Sequence, residues 1–160
     1  MASKPQSHSR DCSRPDDDTL QPKRLNVAAI LLVGADGALL EGIAQALAAA
    51  GHHVLTAASI AEASFVAATA PPLLAVVDRA LLASLTDVRS IGLAPGGALV
   101  AFGDVGIPLP APVRRSVLAE LRLPLERSRL IALAAHVEAR AHRTGRDAVA
   151  ETPPDSRPAL

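Results

Sequence analysis

Two short, wholly apolar runs, Ala28 to Val33 and Leu73 to Val77, sit in an otherwise mixed chain and end on glycine or a charge. A strand with one wet face alternates, whereas a strand covered on both faces reads as an unbroken run of Val, Leu, Ile and Ala. Such runs are too short for helices and demand cover on two sides. Helices on both faces of a parallel sheet supply that cover.

The segments between the runs fit this reading. After Asp36 and Gly37, Leu39, Leu40, Ile43, Leu47 and Ala50 recur at helical spacing as far as Gly51, a residue that commonly closes a helix. His53 to Ala57 reads as a second strand. Ser59 is placed to cap a helix through Ala68, with Glu62 three residues on to complete a capping box, and Pro71 and Pro72 close the unit. Beyond Asp78 a helix is expected over Ala80 to Leu93, a turn at Pro95, Gly96 and Gly97, and a strand over Ala98 to Phe102. Ile107 to Pro112 is broken up by prolines, a short helix is expected around Pro112 to Ser116, and Val117 to Arg122 reads as the fifth strand. Pro124 then sits in the first turn of a helix whose Leu130, Leu133, Ala134, Val137 and Ala141 form one stripe. The expected fold class is α/β: a doubly wound, five-stranded parallel sheet with helices on both faces, of flavodoxin-like type, connected right-handedly. No internal repeat suggests a solenoid.

Length and composition bound the rest. The chain has 160 residues, room for one core of about 100 to 150 residues with tails. Residues 1–25, rich in Ser, Pro and charge, and 144–160, with Pro153, Pro154 and Pro158, read as disordered tails around a domain at 26–143. Only Phe65 and Phe102 are aromatic, so small aliphatic side chains must pack the core. A net charge of zero argues against a protein-wide field that would draw the chain to nucleic acid. No apolar stretch reaches a membrane span and none near the start resembles a signal peptide, so a cytoplasmic protein is expected. The single cysteine, Cys12, cannot form an internal disulfide. His8, His52, His53, His136 and His142 show no metal-ligand spacing, and surface positions are expected for them.

Four segments carry a resemblance: ILLVGAD (Ile30–Asp36), GHHVLTAASIAEA from Gly51, LLAVVDRAL from Leu73 and LPLERSRLIAL from Leu123. Together they resemble the receiver domain of bacterial two-component response regulators, over about 115 residues and without a gap from Gly34 through Gly51 to Asp78. The resemblance implies that Asp78, ending the third strand, takes the place of the phosphoacceptor. Phosphoryl transfer there relies on magnesium to neutralise the moving oxygens, and in the family two acids after the first strand help to hold that ion. Here these positions are Gly34 and Ala35, with Asp36 one place too far along. The family's Ser or Thr at the end of strand four falls on Ala101, Phe102 or Gly103. Its Lys before a proline falls on Leu123, while Arg122 is expected on the other face of the strand.

The resemblance therefore implies a stand-alone, degenerate receiver, not an enzyme, that binds signalling proteins such as a histidine kinase or another regulator, with self-association a further implied use. It implies no cofactor unless Asp78 is phosphorylated, when Mg2+ would be needed. Two other readings stand beside it: a phosphorelay acceptor charged on Asp78 by a histidine kinase, and a small-ligand or nucleotide binder using the Gly34–Gly37 turn, although that turn lacks GxGxxG spacing and a Walker lysine. Eight arginines between Arg114 and Arg146, against Glu120, Glu126 and Glu138, make the last region locally basic. Arg127, Arg129 and Arg140 are the candidate docking face.

Overall fold

The computed structural model describes residues 28–150, with side chains described as far as Gly145. Strands β1 (Ala29–Val33), β2 (His53–Ala57), β3 (Leu74–Asp78), β4 (Ala98–Phe102) and β5 (Val117–Leu121) form one sheet in the order β2-β1-β3-β4-β5, parallel throughout. Helices α1 (Gly37–Ala49), α2 (Ile60–Thr69), α3 (Arg79–Ala83), α4 (Ala111–Ser116) and α5 (Arg127–Ala150) connect or follow the strands. The expected doubly wound sheet is present.

Strands β1 and β3 are the apolar runs, and both faces of each are covered. Ile30, Leu32, Leu74 and Val76 join α1 and α5 residues in one core layer with Leu40, Ile43, Leu47, Leu130, Ala134 and Val137. Leu31, Val33, Ala75 and Val77 face the other layer, with Ala63, Leu82, Ile91 and Val113. The period-two alternation of side chains thus delivers neighbouring residues of one strand to opposite cores.

Local chemistry sets the helix ends. The Asp36 Oδ1 accepts the Leu39 N–H at 3.0 Å, and the Ser59 Oγ accepts the Glu62 N–H at 3.2 Å. Glu62 reaches back with Oε2 to the Ala58 N–H at 2.7 Å, one residue earlier than a capping box places it.

Three expectations need correction. The single helix over Ala80 to Leu93 is instead the short α3 and a separate 3-10 turn, Val88–Ile91. Ser84 Oγ donates to the Leu81 carbonyl at 3.2 Å, and Asp87 Oδ1 accepts the Arg89 N–H at 2.9 Å. Such local side-chain bonds offer the backbone an alternative to continuing a helix, and the break lets Leu85 and Ile91 both reach the core. The last helix starts at Arg127, three residues beyond Pro124. A turn intervenes, closed by Glu126 N–H to the Arg122 carbonyl at 2.8 Å and Arg127 N–H to the Pro124 carbonyl at 3.2 Å. That helix also runs to Ala150, so residues 144–150 are helical where a disordered tail was expected. The remainder of the expected tails, 1–25 and 151–160, lies outside the described residues.

Candidate functional site

The strand order reverses between β1 and β3, and open parallel sheets present ligand crevices at such a point beyond the carboxyl ends of the strands. Gly34 and Asp78 stand there. Asp78 is half-buried, and its Oδ1 accepts the Ala80 N–H at 2.9 Å, which caps α3. Asp78 lies opposite Phe102 in the β3–β4 register.

Phe102 decides what the crevice can hold. A Cβ placed on the buried Gly34 would lie 3.1 Å from Phe102 Cζ, 3.6 Å from the Asp78 Cβ and 3.6 Å from Leu40 Cδ2. The aromatic ring thus reaches over from β4 to the end of β1, into the neighbourhood where a side chain at 34 would stand beside Asp78. Gly103 follows with φ of +113°, and a Cβ there would come within 3.2 Å of Asp78 Oδ1. Only a residue without a side chain turns the chain away this close to the carboxylate.

The other expected positions can be placed in the same frame. Ala35 is exposed, and Asp36 is exposed and committed to the start of α1. Leu123 is half-buried against the α1–α5 core layer. Arg122 is exposed, its N–H donating to Glu126 Oε2 at 2.6 Å, and it lines a surface depression with Val105, Glu120, Leu121, Leu125, Glu126 and Arg129. Among the described residues Asp78 has no cationic partner within ion-pair distance. Nor do three His, Cys, Asp or Glu side chains converge as a metal site there. Magnesium prefers an octahedral set of oxygens, and a single carboxylate beside a phenyl ring does not supply it. The donor set does not fit the ion.

The arginines expected as one docking face divide. Arg127, Arg129 and Arg140 are all exposed, and Arg129 and Arg140, close to three whole turns apart, share a stripe, whereas Arg127 lies about 200° round from Arg129 at 3.6 residues per turn. Arg129 Nη1 also pairs with Glu126 Oε1 at 3.1 Å. These bonds from Arg122 and Arg129 hold the Glu126 carboxyl below its ordinary range, the backbone N–H of Arg122 being the larger cause.

Two features escaped the sequence reading. His52, expected on the surface, has a side chain only 7% exposed, with Nδ1 2.9 Å from Glu138 Oε1, joining the α1–β2 turn to α5. Arg79, directly after Asp78, is buried. Its Nε donates to the Ile107 carbonyl, and its Nη1 lies 2.8 Å from Glu120 Oε2. The one trace of its burial in the string is a charge set between two apolar stretches, VVDRALL, and its partners leave none.

No family model matches the sequence, and no curated protein matches it. Solved structures do. A response regulator receiver domain protein from Clostridium thermocellum is similar at 19% identity, covering 73% of this chain and 98% of that one with a TM-score of 0.56. The signal receiver domain of an HD domain-containing protein from Pseudomonas fluorescens Pf-5 gives 18% identity, 74% and 92% coverage and a TM-score of 0.59. NtrX from Brucella abortus gives 19% identity and a TM-score of 0.61 over 84% of this chain but 32% of its own. The chain has the fold of a receiver domain, and the expected flavodoxin-like architecture holds. No described helix is long and apolar enough to cross a membrane.

Proposed function

We propose that this chain is a degenerate receiver module of bacterial signal transduction that acts in the cytoplasm by binding other signalling proteins, and not as an enzyme, with phosphorylation of Asp78 weak or absent. The observation that carries the reading is the Phe102 ring lying against Gly34 beside Asp78. In phosphoryl transfer most of the stabilisation comes from cations placed around the moving group, and this crevice offers an apolar ring and glycines in their place.

The docking surface we assign is the depression bearing Val105 and Leu125, exposed by 56% and 87%, with Arg122 and Arg129 lining it beside them. An apolar patch rimmed by arginines suits a protein partner better than bulk solvent. A histidine kinase, another regulator or a second copy of this chain fits that description. Nucleotide binding, seen in the NtrX complexes with ADP and ATP, is a poorer fit. The depression beside Gly34 and Gly37 is lined by Glu41 and Glu62, which repel polyphosphate.

Incubation with acetyl phosphate and magnesium followed by intact-mass measurement tests the phosphorylation half. The expected result is no phosphoryl adduct beyond that of Asp78→Ala, and a clean adduct that this substitution abolishes would establish the phosphorelay acceptor instead. Capture from the native cytosol tests the docking half. Partners retained by the wild type should be lost by Arg122→Glu/Arg129→Glu, and retention by both would remove this surface as the docking site.

A further inference from the structure

Arg79 occupies an unusual place. It begins at the end of the buried strand β3, next to Asp78, and its side chain is only 10% exposed. A buried guanidinium is tolerated only when its donors are met and its charge is answered. Both needs are filled from elements far along the chain. Nε donates to the carbonyl of Ile107, in the loop between β4 and α4. Nη1 pairs with the carboxylate of Glu120 at 2.8 Å, on the edge strand β5. Among the described residues no buried side-chain nitrogen or oxygen lacks a partner, so this tether is complete.

The two elements it ties are opposite walls of one surface feature. The depression lined by Val105, Glu120, Leu121, Arg122, Leu125, Glu126 and Arg129 lies between the loop that carries Val105 and Ile107 and the strand that carries Glu120. Leu109 seats the far end of the loop in the core, but from Gly103 to Ile107, where Gly103 and Gly106 are both exposed, the hydrogen bonds apart from the Arg79 tether are local, Gly106 N–H to Asp104 Oδ1 at 2.8 Å and Ile107 N–H to the Asp104 carbonyl at 3.2 Å. The guanidinium is planar and presents several donors in a fixed fork, so it can hold two acceptors at a set separation in a way that a single point charge cannot.

We propose that Arg79 is a built-in latch that clamps the β4–α4 loop to β5 and fixes the width of this depression without any chemistry at Asp78. The surface assigned to partners is thereby kept in one arrangement at all times. This gives the proposed docking module its regulation, or rather its lack of it, and in that respect rests on the reading above. The latch itself involves neither a partner nor a phosphoryl group.

Hydrogen–deuterium exchange of the full chain, read by mass spectrometry, tests it in Arg79→Met, Arg79→Lys and Glu120→Ala. Peptides spanning Gly103 to Pro110 should exchange at least about tenfold faster in Arg79→Met, with β1 unchanged. Arg79→Lys should not restore the protection. If Arg79→Met also loosens β1, the substitution has destabilised the whole molecule, and Glu120→Ala decides, where several-fold faster exchange confined to the loop is expected. Loop exchange within about twofold of the wild type in whichever variant decides would overturn the latch. Because the readout involves neither phosphorylation nor capture, it can fail while the docking reading stands, and the reverse also holds.

Discussion

At the scale of single residues, Gly34 and Phe102 behave as one unit. A Cβ at 34 would stand 3.1 Å from Phe102 Cζ, closer than an aliphatic contact prefers, and the ring is itself hemmed in by the core. Gly34→Ala should therefore destabilise the fold by about 1 to 2 kcal/mol through overpacking. The same change made in a Phe102→Leu background, where the Cζ atom is gone, should cost clearly less. Urea unfolding of the four proteins in a double-mutant cycle measures the coupling, and additive effects would show that the ring is not what confines position 34. The place of Asp78 at the end of β3 could be read from the string because strand ends follow from apolar runs. Arg79 could not, since its role depends on Ile107 and Glu120, brought near by three strands lying side by side. His52 was hidden for the same reason, its partner Glu138 being on the last helix.

At the scale of elements, what was legible is what is local. The bounds of β2 and β4 and the Ser59 cap follow from residues a few places apart, and Ser59→Ala should cost about 1 kcal/mol, seen as a lower midpoint in thermal unfolding. The early end of α3 and the late start of α5 were missed because they depend on competition between alternative local hydrogen bonds, which apolar periodicity does not register. The start of α5 carries a pH dependence. The Glu126 carboxyl is held below its ordinary range by the Arg122 N–H and by Arg129, so the folded state favours its ionised form. The sign follows from proton linkage: the stabilisation is fully present above the unfolded glutamate value of about 4.3 and is lost as pH falls through the lower folded value. Amide exchange over 122–130 should therefore speed up, relative to the rest of the chain, as pH falls below the ordinary glutamate range. Glu126→Gln should remove that trend, and a trend that persists would place its origin elsewhere.

At the scale of the whole molecule, the sheet is a shared wall between two core layers that have no aromatic-rich centre of their own. Leu31 and Leu32 are adjacent and both fully buried, yet Leu31 belongs to the layer of α2, α3 and α4 and Leu32 to that of α1 and α5. Because each strand contributes to both layers, removing a side chain from one should weaken the other. Leu31→Ala and Leu32→Ala should each cost about 3 to 5 kcal/mol, the range for a leucine deleted from a core that cannot collapse around the gap. That is a large part of the stability of a domain this size. Both should also retain one cooperative transition. The chain has neither Trp nor Tyr, so far-UV circular dichroism against urea is the appropriate probe, joined by exchange of peptides from α2 and α5. Coincident loss of protection on the two faces in both variants is the expected outcome. If Leu31→Ala loosens α2 while α5 stays protected, the two layers are separable, and the sheet is then a scaffold on which one face can open alone.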